Sequence, residues 1–293
     1  MIICESTTNV PGLEHAEITL DELENNLWAT LAGDTRVCRS HRPISGFPLL
    51  TVIDEANDSQ FDVLMEAFRS GVALPPQGAA IALRGKKFHG HHGRPWLAAA
   101  GNIHLTAWFT TELSLLKYQA ALTMLPALAA WSTVKQLCPD AKPGIKWVND
   151  ILIDGKKVSG VITSTQSRKG VAERVVYGIG LNVAVAPEAD PTSYVPSTGC
   201  IADYGQVDFW AGLDVLLGEL ARWHRVMVDE GPCTIYQSYT AHSLIMGREV
   251  SVMDDPGDQQ EIARGLVTGI NPDLSLSIKG VHAPVRTGRL KLI

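Results

Sequence analysis

In the run Lys146-Trp147-Val148-Asn149-Asp150-Ile151-Leu152-Ile153-Asp154-Gly155-Lys156-Lys157-Val158-Ser159-Gly160-Val161, an apolar strand ends in a lysine beside Trp, Asn and Asp. The Asp154-Gly155 pair then makes a tight turn and a second apolar strand returns through Gly160. Asp-Gly suits a two-residue hairpin turn, whose central positions need positive φ. The run therefore predicts a β-hairpin with a cation at its head. About thirty residues after the lysine, Val175-Val176-Tyr177-Gly178-Ile179-Gly180-Leu181-Asn182-Val183 reads as another strand, with glycine and apolar residues alternating. One face can pack in a core while the glycine face lies flat beneath a ligand.

Upstream, Gly85-Lys86-Lys87-Phe88-His89-Gly90-His91-His92-Gly93-Arg94-Pro95-Trp96 is a loop rich in glycine, histidine and cations, with Gly101-Asn102 shortly after. Glycines let a backbone approach a ligand and aim N–H groups at phosphate oxygens, while cations neutralise them. The three histidines also raise the question of a metal, but no Cys, Asp or Glu lies nearby with ligand spacing, so no metal site is expected.

The remaining elements follow from periodicity and punctuation. Leu49–Ile53, Ala79–Leu83 and Ile103–Phe109 read as strands. Asn57 or Asp58 can cap a helix carrying Phe61, Leu64, Met65 and Phe68 on one face, and Gly71 can end it. A long apolar helical stretch spans about Leu115–Leu137, with Pro126 as a kink or a break. A further helix covers about Val207–Asp229, and short strands from about residue 249 onward predict a small β-barrel. Before residue 47 only Leu20–Trp28 reads as a short amphipathic helix. Without strict βαβ alternation, an α+β fold with a mixed or antiparallel sheet and flanking helices is expected. The expected division is an N-terminal extension packed on the core (1–46), a catalytic domain (47–242) and the C-terminal small β-barrel (243–293).

Composition sets the outer bounds. The 293 residues are 45% apolar and 19% charged, enough for a sizeable core and more than one domain. A formal charge of −6 argues against broad binding to nucleic acid or to anionic membrane. Five cysteines stand singly, with no CxxC, so neither a disulfide framework nor a zinc knuckle is indicated. No stretch reads as a secretory signal or a membrane span, which makes the cytoplasm the expected location.

Together these runs resemble the biotin protein ligases, over roughly residues 48–293 and most strongly between 85 and 183. The family's Lys-Trp-Pro-Asn-Asp stands here as Lys146-Trp147-Val148-Asn149-Asp150, with valine for proline. Its Gly-Arg-Gly-Arg-x-Gly-Arg-x-Trp loop matches at Gly90, Gly93, Arg94 and Trp96, and departs at Phe88, His89 and His91. Lys86 and Lys87 are candidates for the missing charge. Gly-x-Gly-x-Asn matches at Gly178, Gly180 and Asn182. The family's Ser-Thr-Asn, whose hydroxyls bond the ureido ring of biotin, reads Glu55-Ala56-Asn57, with Asp58-Ser59 offering a replacement hydroxyl, and the glutamine ahead of the loop becomes Gly85.

The resemblance implies a class II aminoacyl-tRNA synthetase-like ligase core followed by the small barrel. It implies ATP-dependent activation of biotin to biotinyl-5′-AMP, with Mg²⁺ on the ATP phosphates, and transfer to a lysine of the biotin carrier domain of a carboxylase. Lys146 would meet both the acyl carboxylate and the phosphate, two anions whose repulsion a fixed ammonium offsets best where water is excluded. Asn57, Gly85, His89, Trp96, Lys146 and Gly160 would contact biotin; His91, Arg94, Asn149 and Asn182 would contact the nucleotide. Many members carry an N-terminal winged helix that binds DNA, but the segment before residue 47 has neither the length nor the basic helix for one. The family includes dimers that pair sheets edge to edge, which leaves a homodimer open. The altered Glu55-Ala56 and Gly85 positions keep a lipoate or octanoate ligase as an alternative, and His89 and His91 keep a paralogue that binds an acyl-nucleotide or carrier domain without turnover.

Overall fold

A computed structural model of the chain describes residues 2–5, 35–38, 45–188, 192, 194, 197–255 and 260–293. Nine strands form one mixed sheet: β1 (Ile2–Glu5), β2 (Thr35–Cys38), β3 (Leu50–Ala56), β4 (Gln77–Gly85), β5 (Ile103–Ser114), β6 (Gly144–Lys146), β7 (Asp150–Ile153), β8 (Lys156–Arg168) and β9 (Val171–Leu181). Their spatial order is β2-β1-β3-β4-β5-β9-β8-β7-β6. Only β1–β3 and β3–β4 pair in parallel, and helix α1 (Gln60–Arg69) makes the crossover that the second pair requires. Strands β1 and β2 thus tie part of the N-terminal segment to the sheet, whereas the helix expected at Leu20–Trp28 lies outside the described residues.

The opening hairpin takes a fuller form than expected. Asp154 and Gly155 adopt φ of 49° and 79°, as a two-residue turn between β7 and β8 demands. Lys146 does not sit on that hairpin itself. It ends β6, which pairs antiparallel with β7 across the Trp147–Asn149 turn, so the run is a three-stranded meander. The edge strand β6 is itself covered, because Ile145 exchanges backbone bonds with His242 and Leu244.

The sheet buries a different core on each face. On one, α1 lays Leu64, Met65 and Phe68 over Ile53, Ala80, Ala82, Trp108 and Val176. On the other, α2 (Leu115–Leu137), α3 (Phe209–Glu230) and α4 (Pro232–Ala241) cover Leu105, Ala107, Tyr177 and Ile179. Pro126 lies within α2 without ending it; residues 124–130 are all buried, and that packing offsets the roughly 3 kcal/mol of a mid-helix proline. Asp208 caps α3 by accepting from the N–H groups of Trp210 and Ala211, placing the helix start two residues after the expected Val207. Helix α4, absent from the sequence reading, follows after Gly231 with Pro232 in its first turn.

At the C-terminus, β10 (Glu249–Met253), β11 (Glu261–Ile270), β12 (Leu276–Ile278) and β13 (Arg289–Leu292) form a separate antiparallel sheet in the order β12-β11-β10-β13. Where a small β-barrel was expected, the described residues form an open four-stranded sheet with β12 and β13 as its two edges. Among the described residues no helix is long and apolar enough to cross a membrane.

Candidate active site

A cavity of about 810 Å³ opens between the α1 face of the main sheet, the Gly-rich loop and the C-terminal sheet. Its floor is the glycine face predicted for β9. Gly160 of β8 pairs with Gly180, and Ile162 pairs with Gly178. The indole of Trp96 lies directly on this floor: a Cβ added at Gly180 would fall 1.8 Å from its ring, and one at Gly160 would fall 3.0 Å from it. Gly178 instead faces Phe61 and Ile162.

Lys146 is 5% exposed at the end of β6, and its Nζ donates to the carbonyl of Tyr194 at 2.7 Å. Burial holds its pKa below the ordinary lysine value, and Asp150 opposes that shift. Asp150 is joined to Lys157 at 2.6 Å, and the Lys157 ammonium stands 5.5 Å from the centre of the Trp96 ring. Three bonds brace the turn after Lys146. Trp147 Nε1 donates to Leu274 O at 2.8 Å, Tyr239 of α4 donates to Val148 O at 2.8 Å, and Asn149 Nδ2 donates to Val161 O at 2.7 Å.

The loop closes over the floor through its own ion pairs. His89 Nε2 lies 2.6 Å from Asp62 of α1, and that contact raises its pKa. Arg94 donates to both oxygens of Asp255 at 2.7 Å, and His92 lies 3.5 Å from the same carboxylate. Burial, then the neighbouring His92, pushes the pKa of His91 down. His91, His92 and Asp255 bring potential metal-ligand atoms within 4.8 Å of one another. The expectation of no acidic partner for these histidines is therefore corrected, since the C-terminal segment supplies one; Arg94 already engages both of its oxygens.

Seven of the ten site candidates line this cavity: His89, His91, Arg94, Trp96, Lys146, Asn149 and Gly160. Three lie elsewhere. Asn57 is exposed in the turn after β3. Gly85 is covered by the Phe88 ring, 2.4 Å from where its Cβ would be. Asn182 is buried under the returning 197–201 segment, where its Nδ2 donates to Gly199 O at 3.0 Å. Lys86 and Lys87 do not replace the missing arginines at the cavity either, because they pair outside it with Glu55 (2.7 Å) and Asp58 (2.8 Å).

In their place the structure brings in residues that the sequence reading passed over. His104 of β5 accepts from Trp96 Nε1 at its Nδ1 (3.3 Å) and lies 3.1 Å from Ala99 O at its Nε2. Ser59, Gln60 and Thr106 also line the cavity. The alternation Ile103-His104-Leu105-Thr106-Ala107 carried the signal, since it puts two polar side chains on one face of an otherwise apolar strand. Lys146, Lys157, Arg94 and Arg289 cluster around the Gly160 side, while Phe61 and Ile162 stand at Gly178. Such a site suits a ligand with an anionic head and a less polar tail.

Residues 58–182 match the model of the Biotin/lipoate A/B protein ligase family. The biotin–[acetyl-CoA-carboxylase] ligase of Paracoccus denitrificans is 28% identical over 214 residues, covering 69% of this chain and 85% of that one. The enzyme of the same name from Mycobacterium tuberculosis is 28% identical over 266 residues, covering 83% and 89%. Among solved structures, the biotin protein ligase of Aquifex aeolicus in complex with biotin and ATP superposes with a TM-score of 0.65 at 18% identity, over 84% of this chain and 99% of that one.

Proposed function

We propose that this chain, whose residues 58–182 match the model of the Biotin/lipoate A/B protein ligase family, belongs to that family, activates biotin with ATP and transfers it to a carrier lysine. The observation that carries this reading is the buried Lys146 lining the same cavity as the glycine floor on which Trp96 rests, with further cations around it. In the first step a carboxylate oxygen of biotin attacks the α-phosphorus of ATP, and pyrophosphate leaves. In the second, the ε-amine of a lysine on a biotin carrier domain attacks the acyl carbonyl, and AMP leaves. Lys146 offsets the repulsion between carboxylate and phosphate, and its burial strengthens that effect. The glycine floor and the indole of Trp96 position the reactants, which turns a collision of two anions into an in-place reaction.

Mg²⁺ on the ATP phosphates fits the carboxylates present. Asp150, Asp255 and Asp273 line the cavity, each paired with a cation (Lys157, Arg94 and Arg286), so the protein offers no open carboxylate cage and the nucleotide would hold most of the ion's ligands. The cytoplasm, where ATP and carrier proteins meet, is the proposed location.

A lipoate or octanoate ligase is the second reading. It is favoured by Glu55, which turns to Lys86 and Arg84 instead of the cavity, and by the absence of a side chain at Gly85. The test is to incubate the protein with ATP, Mg²⁺, a purified biotin carrier domain and each acid in turn. Mass spectrometry should show biotin on the carrier lysine and none on a Lys→Arg carrier. Modification by lipoate or octanoate alone would establish the second reading, and none with any acid would point to a non-catalytic paralogue.

A further inference from the structure

The Gly-rich loop and the C-terminal segment meet at a cluster that the chemistry above does not use. His91 and His92 sit in a short turn of the loop, where His92 adopts the left-handed conformation (φ 57°, ψ 34°). Histidine, like asparagine, is among the few side chains found there with any frequency. An extended backbone would send two consecutive side chains to opposite sides, but here the rings meet edge-on with centroids 3.9 Å apart. Across from them stands Asp255, two residues after β10. His92 Nε2 lies 3.5 Å and His91 Nδ1 lies 4.0 Å from the same oxygen, Oδ2. Both distances exceed an ordinary hydrogen bond, so the nitrogens approach the carboxylate without being committed to it. Ligand atoms of all three residues fall within 4.8 Å of one another. The three residues line the cavity and both rings are exposed, which gives an ion a way in.

We propose that His91, His92 and Asp255 form a binding site for a divalent transition-metal ion, which clips the Gly-rich loop to the C-terminal segment. Zinc holds imidazole nitrogens and carboxylate oxygens at about 2.0–2.2 Å, so ligand atoms around a tetrahedral ion stand about 3.3 Å apart. The farthest pair has to close by no more than about 1.5 Å, which small rotations of exposed side chains supply. Arg94 does not block the site. Its Nη2 bonds Oδ1 as well as Oδ2, so it stays on Oδ1 when Oδ2 turns to the ion, because a carboxylate has about four lone-pair positions. A ligating carboxylate is commonly held in this way by a neighbouring donor. Three protein ligands leave a fourth position for water or for an anion in the cavity. Two imidazoles with one carboxylate select zinc, cobalt or nickel over Mg²⁺, which prefers a shell of oxygens. The site is therefore distinct from the Mg²⁺ carried by ATP, and it does not depend on the ligase reading.

Titration of the chelator-treated full chain with Co²⁺, followed by visible absorption, tests the assignment without any turnover. The parent should bind one Co²⁺ with a Kd of about 10 μM or tighter; Zn²⁺ should displace it, and Mg²⁺ at about 5 mM should not. His92→Asn keeps a residue at ease with positive φ and removes the imidazole, while Asp255→Asn removes the charge from the other segment. Each should weaken Co²⁺ by about tenfold or more. His282→Ala, at an exposed histidine outside the cluster, should leave it within about twofold. A measurement that needs no variant follows the imidazole resonances of the parent: Zn²⁺ should shift those of His91 and His92 and leave that of His242 in place. The proposal is overturned if the parent binds Co²⁺ more weakly than about 1 mM, if either folded cluster variant binds it like the parent, or if Zn²⁺ shifts other histidines and not these two.

Discussion

His89 and His91 stand two residues apart in one loop, yet their surroundings drive them in opposite directions. The hydrogen bond to Asp62 raises the pKa of His89, while burial and the neighbouring His92 lower that of His91. The two rings therefore titrate on opposite sides of the ordinary histidine value near 6.5. A group whose folded pKa is raised stabilises the fold fully below its unfolded value and loses that contribution as pH climbs through the folded one. The His89–Asp62 tether should thus be complete below about 6.5 and fade above it. Resolved imidazole resonances should titrate above 6.5 for His89 and below it for His91, and Asp62→Asn should lower the titration of His89 while leaving that of His91 in place. Two coincident titrations near 6.5 would contradict the placement of both rings. At this scale the sequence made legible what motif spacing fixes, namely Lys146, Trp96, Arg94 and Gly160. It misplaced Asn182, because a strand's parity puts that side chain on the Gly178 and Gly180 face but cannot show that residues 197–201 return over it.

At the scale of elements, β9 was readable because two glycines at alternate positions, Gly178 and Gly180, are unusual in a strand and leave one face without side chains there. The long antiparallel pairing of β5, β9 and β8 gives that face its rigidity. It also makes the floor intolerant. Gly180→Ala would set a Cβ 1.8 Å from Trp96, so the indole must leave or the strand must bend. Overpacking of this kind costs about 1–3 kcal/mol. The expected outcome is a lowered melting temperature together with weakened biotin binding. A variant matching the parent in both would mean that Trp96 does not rest on this strand. Helix α4 escaped the sequence reading for a plain reason. Only Gly231 separates it from α3, and a single Gly-Pro punctuation within a long helical pattern looks like a terminus, not a junction.

At the scale of the whole molecule, the C-terminal sheet is part of the site. Leu274 O accepts from Trp147 next to the critical lysine, Asp255 holds Arg94, and the Arg289 guanidinium lies 3.8 Å from the centre of the Tyr194 ring, whose carbonyl receives Lys146. The Trp147–Leu274 and Arg94–Asp255 contacts join residues more than a hundred positions apart, which is why local sequence patterns identified the strands but not their part in the cavity. On the proposed function, this assembly keeps Lys146 as the charge which makes acid activation feasible. Pyrophosphate release from ATP and biotin in a single turnover, compared between the parent and Lys146→Ala, tests it most directly. The parent should release pyrophosphate only when the acid is present, and the variant should lose at least about a hundredfold of that rate, roughly 2.7 kcal/mol of barrier, with an unchanged circular dichroism spectrum. A folded Lys146→Ala that releases pyrophosphate within about tenfold of the parent, roughly 1.4 kcal/mol, would contradict it.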